Sequence, residues 1–379
     1  MAVPAISSVP EPPSADGSDG FAGGDGGRAW FGGVQARRPV ECVDLLQSAD
    51  VVAQGGFWVV VGDFEGRVRA WRFAEVERRH DDRRSLCRPE SALPWSGPLP
   101  TSWSTSMDAE DYRAGVTTIR ELIRAGEVYQ VNLCRVLAAP LPAALGAPPD
   151  AAALGRRLLV GNPAPYAGGI QVDGTAGIDP VWVVSASPEL FLRVEHGMVT
   201  SGPIKGTATT ASGLTDKDRA ENVMIADMVR NDLQRICDPG TVEVIDLLAV
   251  EEHPGLVHLV TTVQGRLRSP VPDWRLLFEA TYPPASVSGA PKHAALRVIE
   301  DLEAVPRGPY CGAFGWIDAD AGRAELAVGI RTFWWTDDEG GRLHFGTGAG
   351  ITWGSDPQAE WAETELKAHR LVALASTVT

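Results

Sequence analysis

"SMDAEDYRAGVTTIRELIRAGEVYQVNLCRVLA", residues 106–138, changes its hydrophobic period partway along, and that change decides the fold class. Tyr112, Val116, Ile119 and Ile123 recur at helical spacing, with Ser106 or Asp108 as N-cap and Gly126 as the stop. From Val128 the period is two. Tyr129, Val131 and Leu133 point one way and Gln130, Asn132 and Cys134 the other, the pattern of a strand. Its second face is polar, so it is either a solvent-facing edge or the lining of a cleft.

Working outward, "FWVVVGDFEGRVRAWRF" (57–73) predicts a hairpin around a Gly-containing turn. Further strands are expected at "VWVVSAS", "LFLRVE", "LVHLVTTVQGRL", "GAFGWID" and "GRLHFGTG". Helices are expected at "DKDRAENVMIADMVRNDLQRI", "PKHAALRVIEDLE" and "DPQAEWAETELKAHRLVALA". Strands come in runs interrupted by single helices, which indicates an α+β class rather than regular strand–helix alternation. The charged, then proline-rich stretch after residue 76 reads as a connector, with a boundary near 76–106. The expected division is a flexible tail over 1–27, a β-rich segment and connector over 28–106, and a catalytic region over 107–379.

The 379 residues carry a formal charge of −15, which argues against a nucleic-acid surface or an anionic membrane face. Residues 1–27 contain no Lys or Arg and no apolar core of a secretory signal. The five cysteines, at 42, 87, 134, 237 and 311, form no C-x-x-C pair and read as reduced thiols. A cytoplasmic protein without a membrane span is the expectation.

Two features carry chemistry. "GPIKGT" (202–207) sets Lys205 between a glycine–proline and a glycine–threonine, where composition alone would make it a solvated charge. On two helices, Asp218 and Glu221, and Glu360 and Glu363, stand three residues apart, with Lys367 four beyond Glu363. Such pairs are common on solvated helices. The second helix, however, follows "HFGTGAGITWGSDP", a glycine-rich stretch read as a loop that brings backbone close to an anion. If the pairs converge, their repulsion calls for a divalent cation, and all-oxygen ligands select Mg2+.

Nine stretches in order, among them "AGEVYQVNLCR", "SPELFL", "GPIKGT", "KDRAENVMIADMVRNDLQR", "SVSGAPK" and "GTGAGITWGSDPQAEWAETELKA", resemble the motifs of the chorismate-utilising enzymes over residues 108–372. The resemblance implies a four-layer α/β/β/α fold, with two antiparallel sheets packed orthogonally around a deep Mg2+-dependent cleft. Within the family, isochorismate and salicylate synthases carry lysine where this chain has Gln130, and anthranilate synthases carry a small residue where it has Lys205. The combination is similar to that of the large component of aminodeoxychorismate synthases.

That similarity implies chorismate as substrate, Lys205 as covalent nucleophile and Glu189 as general acid. It implies Glu221 and Glu363 as direct metal ligands, with Asp218 and Glu360 acting through metal-bound water. Tyr310 and Arg331 match the groups that hold the enolpyruvyl carboxylate. Gly348, Ala349 and Gly350 match the backbone that receives the ring carboxylate, and Gln130, Thr207, His258 and Lys367 match other cleft residues. For His258 a core strand histidine is the other possibility.

The chain departs from the family at "ATT" after "PIKGT" and at "PPAS" before "SGAPK". No cysteine has the G-x-C-x-G context of a glutaminase nucleophile, and Cys311, in "GPYCGAFG", reads as packing. A separate glutamine amidotransferase subunit is therefore expected to supply ammonia. The rivals are anthranilate synthase component I and a catalytically silent chorismate-binding subunit. A phosphate loop around Lys205 lacks the G-x-x-x-x-G-K-[ST] spacing.

Overall fold

The computed structural model describes residues 26–78, 94–144, 146–175, 177–208, 210–253 and 256–377. Residues 1–25 of the predicted tail, much of the connector with Cys87, and Thr209 of the "ATT" departure lie outside the described residues, while Gly27, at the end of that tail, already belongs to the strand Gly27–Phe31. Eighteen described strands join in antiparallel pairs into one sheet, with seven α-helices against it.

From the edge strand Glu243–His253 the ladder passes to Leu256–Arg266 and on through Met198–Gly202, Leu190–Glu195, Arg323–Val328 and Ala313–Asp318. It reaches the predicted hairpin, Phe57–Gly62 with Val68–Arg78, whose register pairs Phe57 with Phe73. It then returns through Val34–Asp44, Gly27–Phe31, Tyr166–Val172, Val181–Ser187, Thr332–Thr336 and Arg342–Ile351 to Gln130–Pro140. The hydrogen-bonded ladder is thus continuous through all of these strands. At one bend, Val34–Asp44 shifts register between Pro39 and Glu41, next to Arg38 at φ +59°, so the strand turns without breaking its pairing.

The opening stretch folds as its period dictates. Asp108 caps the helix Ala109–Arg124 by accepting from the Glu110 and Asp111 N–H groups, and Gly126, at φ +81°, follows its end. Tyr112, Val116 and Ile119 are fully buried. In the strand that follows, Gln130, Asn132 and Cys134 are buried like their neighbours, so the polar face is internal rather than a solvent-facing edge. Other expected helices appear as Asp216–Gln234, Lys292–Leu302 and Pro357–Ala375.

Two large apolar cores result, beside a small cluster of Leu214, Val257 and Leu259. The larger one packs the helices Ala109–Arg124 and Asp216–Gln234 and the hairpin side of the sheet; the smaller lies between Ala151–Gly161, Pro357–Ala375 and the returning strands, around Trp182, Phe333 and Phe345. No described helix is long and apolar enough to cross a membrane.

Candidate active site

The opening lysine owes its position to the glycine beside it. In the strand Ile204–Ala208, Lys205 pairs with Leu259 and Thr207 with His258, leaving Gly206 as an extra residue at φ +77°. This is a bulge of the kind a left-handed glycine supplies, and it re-aims the neighbouring side chain. A Cβ on Gly206 would stand 2.7 Å from Asp218 Cβ, so the bulge also lets the strand sit against the helix Asp216–Gln234.

Across the cleft, the glycine-rich stretch is not the expected loop. Gly346, Gly348 and Gly350 lie in the strand Arg342–Ile351, with Gly348 opposite Cys134 and Gly350 opposite Asn132. The glycines are needed because side chains from elsewhere occupy the strand's surface. A Cβ at Gly350 would stand 2.5 Å from Gln130 Nε2 and 3.3 Å from Lys205 Nζ, and one at Gly346 would run into the Tyr310 ring. Lys205, Gln130 and Gly350 therefore meet at one point. Gln130 Oε1 is buried there with no hydrogen-bond partner.

Glu189 is locked between two strands. Its N–H donates to Ser187 Oγ at 3.2 Å, and its carbonyl accepts from the Val328 N–H at 3.1 Å. The carboxyl is buried, and burial pushes its pKa up to about 7 against the nearby Ser286 hydroxyl, the Lys205 amine and the Ile204 N–H. Burial shifts Lys205 the opposite way, down, although Glu221 and Glu189 pull it up. An acid and an amine with opposed shifts in one site are suited to nucleophilic displacement with protonation of the leaving group.

Arg331, at φ +51°, is held by its backbone carbonyl accepting from the Ala186 N–H. Burial alone lowers its pKa, and among the described residues no carboxylate pairs with it. A shielded guanidinium without a counter-charge suits an anionic ligand. Tyr310 is not joined to it: the phenol lies 3.9 Å from Cys134 Sγ, and no described hydrogen bond links it to Arg331. His258 is buried on its strand in register with Thr207 and Glu251; of Thr207 only the backbone is described.

The four predicted metal ligands are hard oxygen donors, the kind Mg2+ takes. Their arrangement is another matter. Lys217 Nζ lies 3.7 Å from Glu221 and 3.5 Å from Glu360, while Lys367 bonds Glu363 at 2.7 Å and Gly348 O at 3.0 Å. Asp218 closes a capping box, accepting from Thr215 N and Oγ1 at 2.8 and 2.6 Å. Among the described residues no three acidic, His or Cys side chains close on a common metal position. Burial raises Glu221 against Lys205 and Lys217, whereas at Glu363 burial is outweighed by Lys367 and the pKa is held down.

Residues 67–373 match the family described as chorismate binding enzyme. The chain belongs to that family. The chorismate binding chain is 38% identical over 275 residues to an aminodeoxychorismate synthase of Streptomyces pristinaespiralis, covering 69% of this chain and 36% of that protein. It is 33% identical over 288 residues to anthranilate synthase component 1 of Saccharolobus solfataricus, covering 73% of this chain and 64% of the relative. The chain thus spans less than two thirds of the length of either relative.

Anthranilate synthase component I from Streptococcus pneumoniae has a similar structure, with a TM-score of 0.72 at 23% identity over 94% of each chain. The menaquinone-specific isochorismate synthase of Escherichia coli gives 0.73 at 19%, over 92% of this chain and 88% of that one. At those identities the likeness concerns the fold.

Two site residues lie within the quoted motifs yet are given no role by them. Lys217 is a plain helix lysine in sequence, and its placement beside Glu360 needs the helices Asp216–Gln234 and Pro357–Ala375 to approach. Ser286 lies within "ASVSGAPK", but only the fold brings it to Glu189, 97 positions earlier (286 − 189). Arg307 fixes that loop: it donates to Val287 O at 2.9 Å and Asn132 O at 2.6 Å and makes a buried bidentate pair with Glu303.

Proposed function

We propose that this chain is a cytoplasmic aminodeoxychorismate synthase component I, which converts chorismate and ammonia to 4-amino-4-deoxychorismate. The observation that carries it is the half-buried Lys205, whose amine stands beside Gln130 and Gly350 with its pKa pushed down opposite a Glu189 carboxyl near 7. Lysine ordinarily titrates at ~10.4 and is no nucleophile at neutral pH, so its desolvation is functionally pertinent.

Arg331 receives one carboxylate of the substrate. The Lys205 amine then bonds to C2, the ring double bonds shift, and the C4–O bond breaks with the Glu189 proton leaving in water. Ammonia bonds to C4, the double bonds shift back, and the C2–N bond breaks to free Lys205. The displacement is thereby divided into two easier steps.

Glu221 and Glu363 are the residues to hold Mg2+, with Asp218 and Glu360 acting through water. When bound, the ion supplies charge stabilisation for the substrate carboxylate. Because Lys217 and Lys367 pair with those oxygens, they compete with the metal for them. Glu221→Gln and Glu363→Gln are each expected to raise the Mg2+ concentration required for half-maximal turnover and to weaken chorismate binding together. Mg2+ titrations identical to those of the unaltered chain would remove the ligand assignment.

Arg331→Lys is expected to raise KM for chorismate by about a hundredfold, because an ammonium cannot replace a two-pronged planar donor. A KM within twofold of the parent would place the carboxylate elsewhere.

Ammonia is expected to come from a separate glutamine amidotransferase subunit. Cys134, Cys237 and Cys311 are buried, and Cys42 is half-buried with burial raising its pKa, so none of the described thiols resembles an accessible glutaminase nucleophile. The purified chain should turn over with ammonium salts and stay inactive with glutamine until an amidotransferase is added. Glutamine-driven turnover by the chain alone would contradict this.

Anthranilate synthase component I remains the second reading, since a relative of that name matches at 33% identity. In that case Lys205 would be incidental. Product analysis with ammonium as nitrogen source separates the two, because anthranilate is fluorescent and has lost its pyruvyl group.

A further inference from the structure

A cavity of about 20 Å3 is lined by Glu189, Ser201, Asp232, Thr281 and Ser286 together with apolar side chains. Lys205 is not part of its wall. The volume suits one water molecule, and the lining offers the polar partners such a water needs. Ser286 Oγ is buried in that wall close to the Glu189 carboxyl but without a hydrogen bond of full geometry, which leaves it free to bind a water. Asp232 is mostly shielded but reaches nearer the surface, where it accepts from Lys292 Nζ at 2.8 Å; Lys292 also donates to Thr281 O at 3.1 Å.

The proposed reaction needs Glu189 to be reprotonated, and such a path can do this while the cleft is occupied. Glu189 gives up its proton to the departing hydroxyl, and ammonium must lose a proton to bulk before ammonia attacks. The amine of the product is protonated at neutral pH, so one proton has to return from bulk to Glu189 in each turnover. Glu189 is only 3% exposed, and substrate occupies the cleft side while the reaction runs.

We propose that the cavity holds a water through which protons return from Asp232 to Glu189, Asp232 and Ser286 being positioning residues for the acid; this rests on Glu189 being the general acid. Asp232 takes a proton from solvent, its O–H proton passes to the cavity water, and an O–H proton of that water passes to the Glu189 carboxylate. Lys292, and the more distant Arg235, are the charged groups facing Asp232, and Lys205 is the one facing Glu189.

The test is steady-state turnover of the full chain with chorismate, ammonium and Mg2+, in water and in deuterium oxide. Asp232→Asn keeps an acceptor for Lys292, so it is expected to lower kcat about tenfold with KM within about twofold, and to enlarge the solvent isotope effect. High concentrations of imidazole, a small proton donor, should restore much of the loss. Ser286→Ala removes a hydroxyl that makes no hydrogen bond of full geometry, so it should keep its Tm and show the same lowered, imidazole-sensitive kcat. Unchanged kcat in both variants, or losses that imidazole and deuterium oxide do not touch, would overturn the proposal. Glu189→Gln run alongside keeps the two ideas apart: full turnover in that variant would remove Glu189 as the acid, and the relay with it, whereas an inactive Glu189→Gln beside unaffected Asp232 and Ser286 variants would overturn the relay alone.

Discussion

Lys205→Ala is expected to abolish conversion of chorismate to aminodeoxychorismate, while leaving the protein folded and still able to bind chorismate. The amine stands on a strand bulge set by Gly206, beside Gln130 and Gly350, and among the described residues its side chain makes no hydrogen bond that the substitution would remove. No neighbouring amine can replace it: Lys217 and Lys367 are committed to Glu221, Glu360 and Glu363. Lys205→Arg should be as inactive, since a guanidinium stays protonated and cannot attack. Full activity of Lys205→Ala at neutral pH would take the residue out of the mechanism.

The second large effect is expected at Glu189. Glu189→Gln removes the proton that the leaving hydroxyl needs and should lower kcat by about 10²–10⁴-fold. The sign of the pH dependence follows from burial. With its pKa pushed up to about 7, the carboxyl is protonated and competent below that pH and loses its proton above it, so the acid-dependent limb of kcat/KM should fall as pH rises through about 7. Lys205 gives the opposite limb, because its amine must be unprotonated; burial lowers its pKa and widens the range in which both groups are in the required state. In Glu189→Gln the limb near 7 should vanish. A mutant that kept it would assign that titration to another group.

The sequence made much of this legible for a local reason. Elements whose apolar spacing answers to a single neighbour, such as the helix Ala109–Arg124, were readable from Tyr112, Val116 and Ile119 alone. Strands such as Val34–Asp44 were not: "VQARRPVECVD" mixes arginines and a proline, and it pairs because two other strands flank it. The helix Ala151–Gly161 gives a weak signal too, since Gly155 is there to clear the Trp30 ring. At the site, the chemical types of Lys205, Glu189 and Arg331 were readable from motifs. Their electrostatic state was not, because it depends on burial by residues distant in the chain. The glycine-rich stretch misleads for a related reason: the pattern that permits a loop around an anion equally permits a strand whose bare surface is covered by Tyr310, Cys134, Gln130 and Lys205.

The measurement that bears most directly on the account is mass spectrometry of the product formed by the purified chain from chorismate, ammonium and Mg2+, with Lys205→Ala as control. The account predicts a product in which the C4 hydroxyl of chorismate is replaced by an amine and the enolpyruvyl group is retained, and none of it from the variant. Fluorescent anthranilate, released with pyruvate and formed equally by Lys205→Ala, would contradict it.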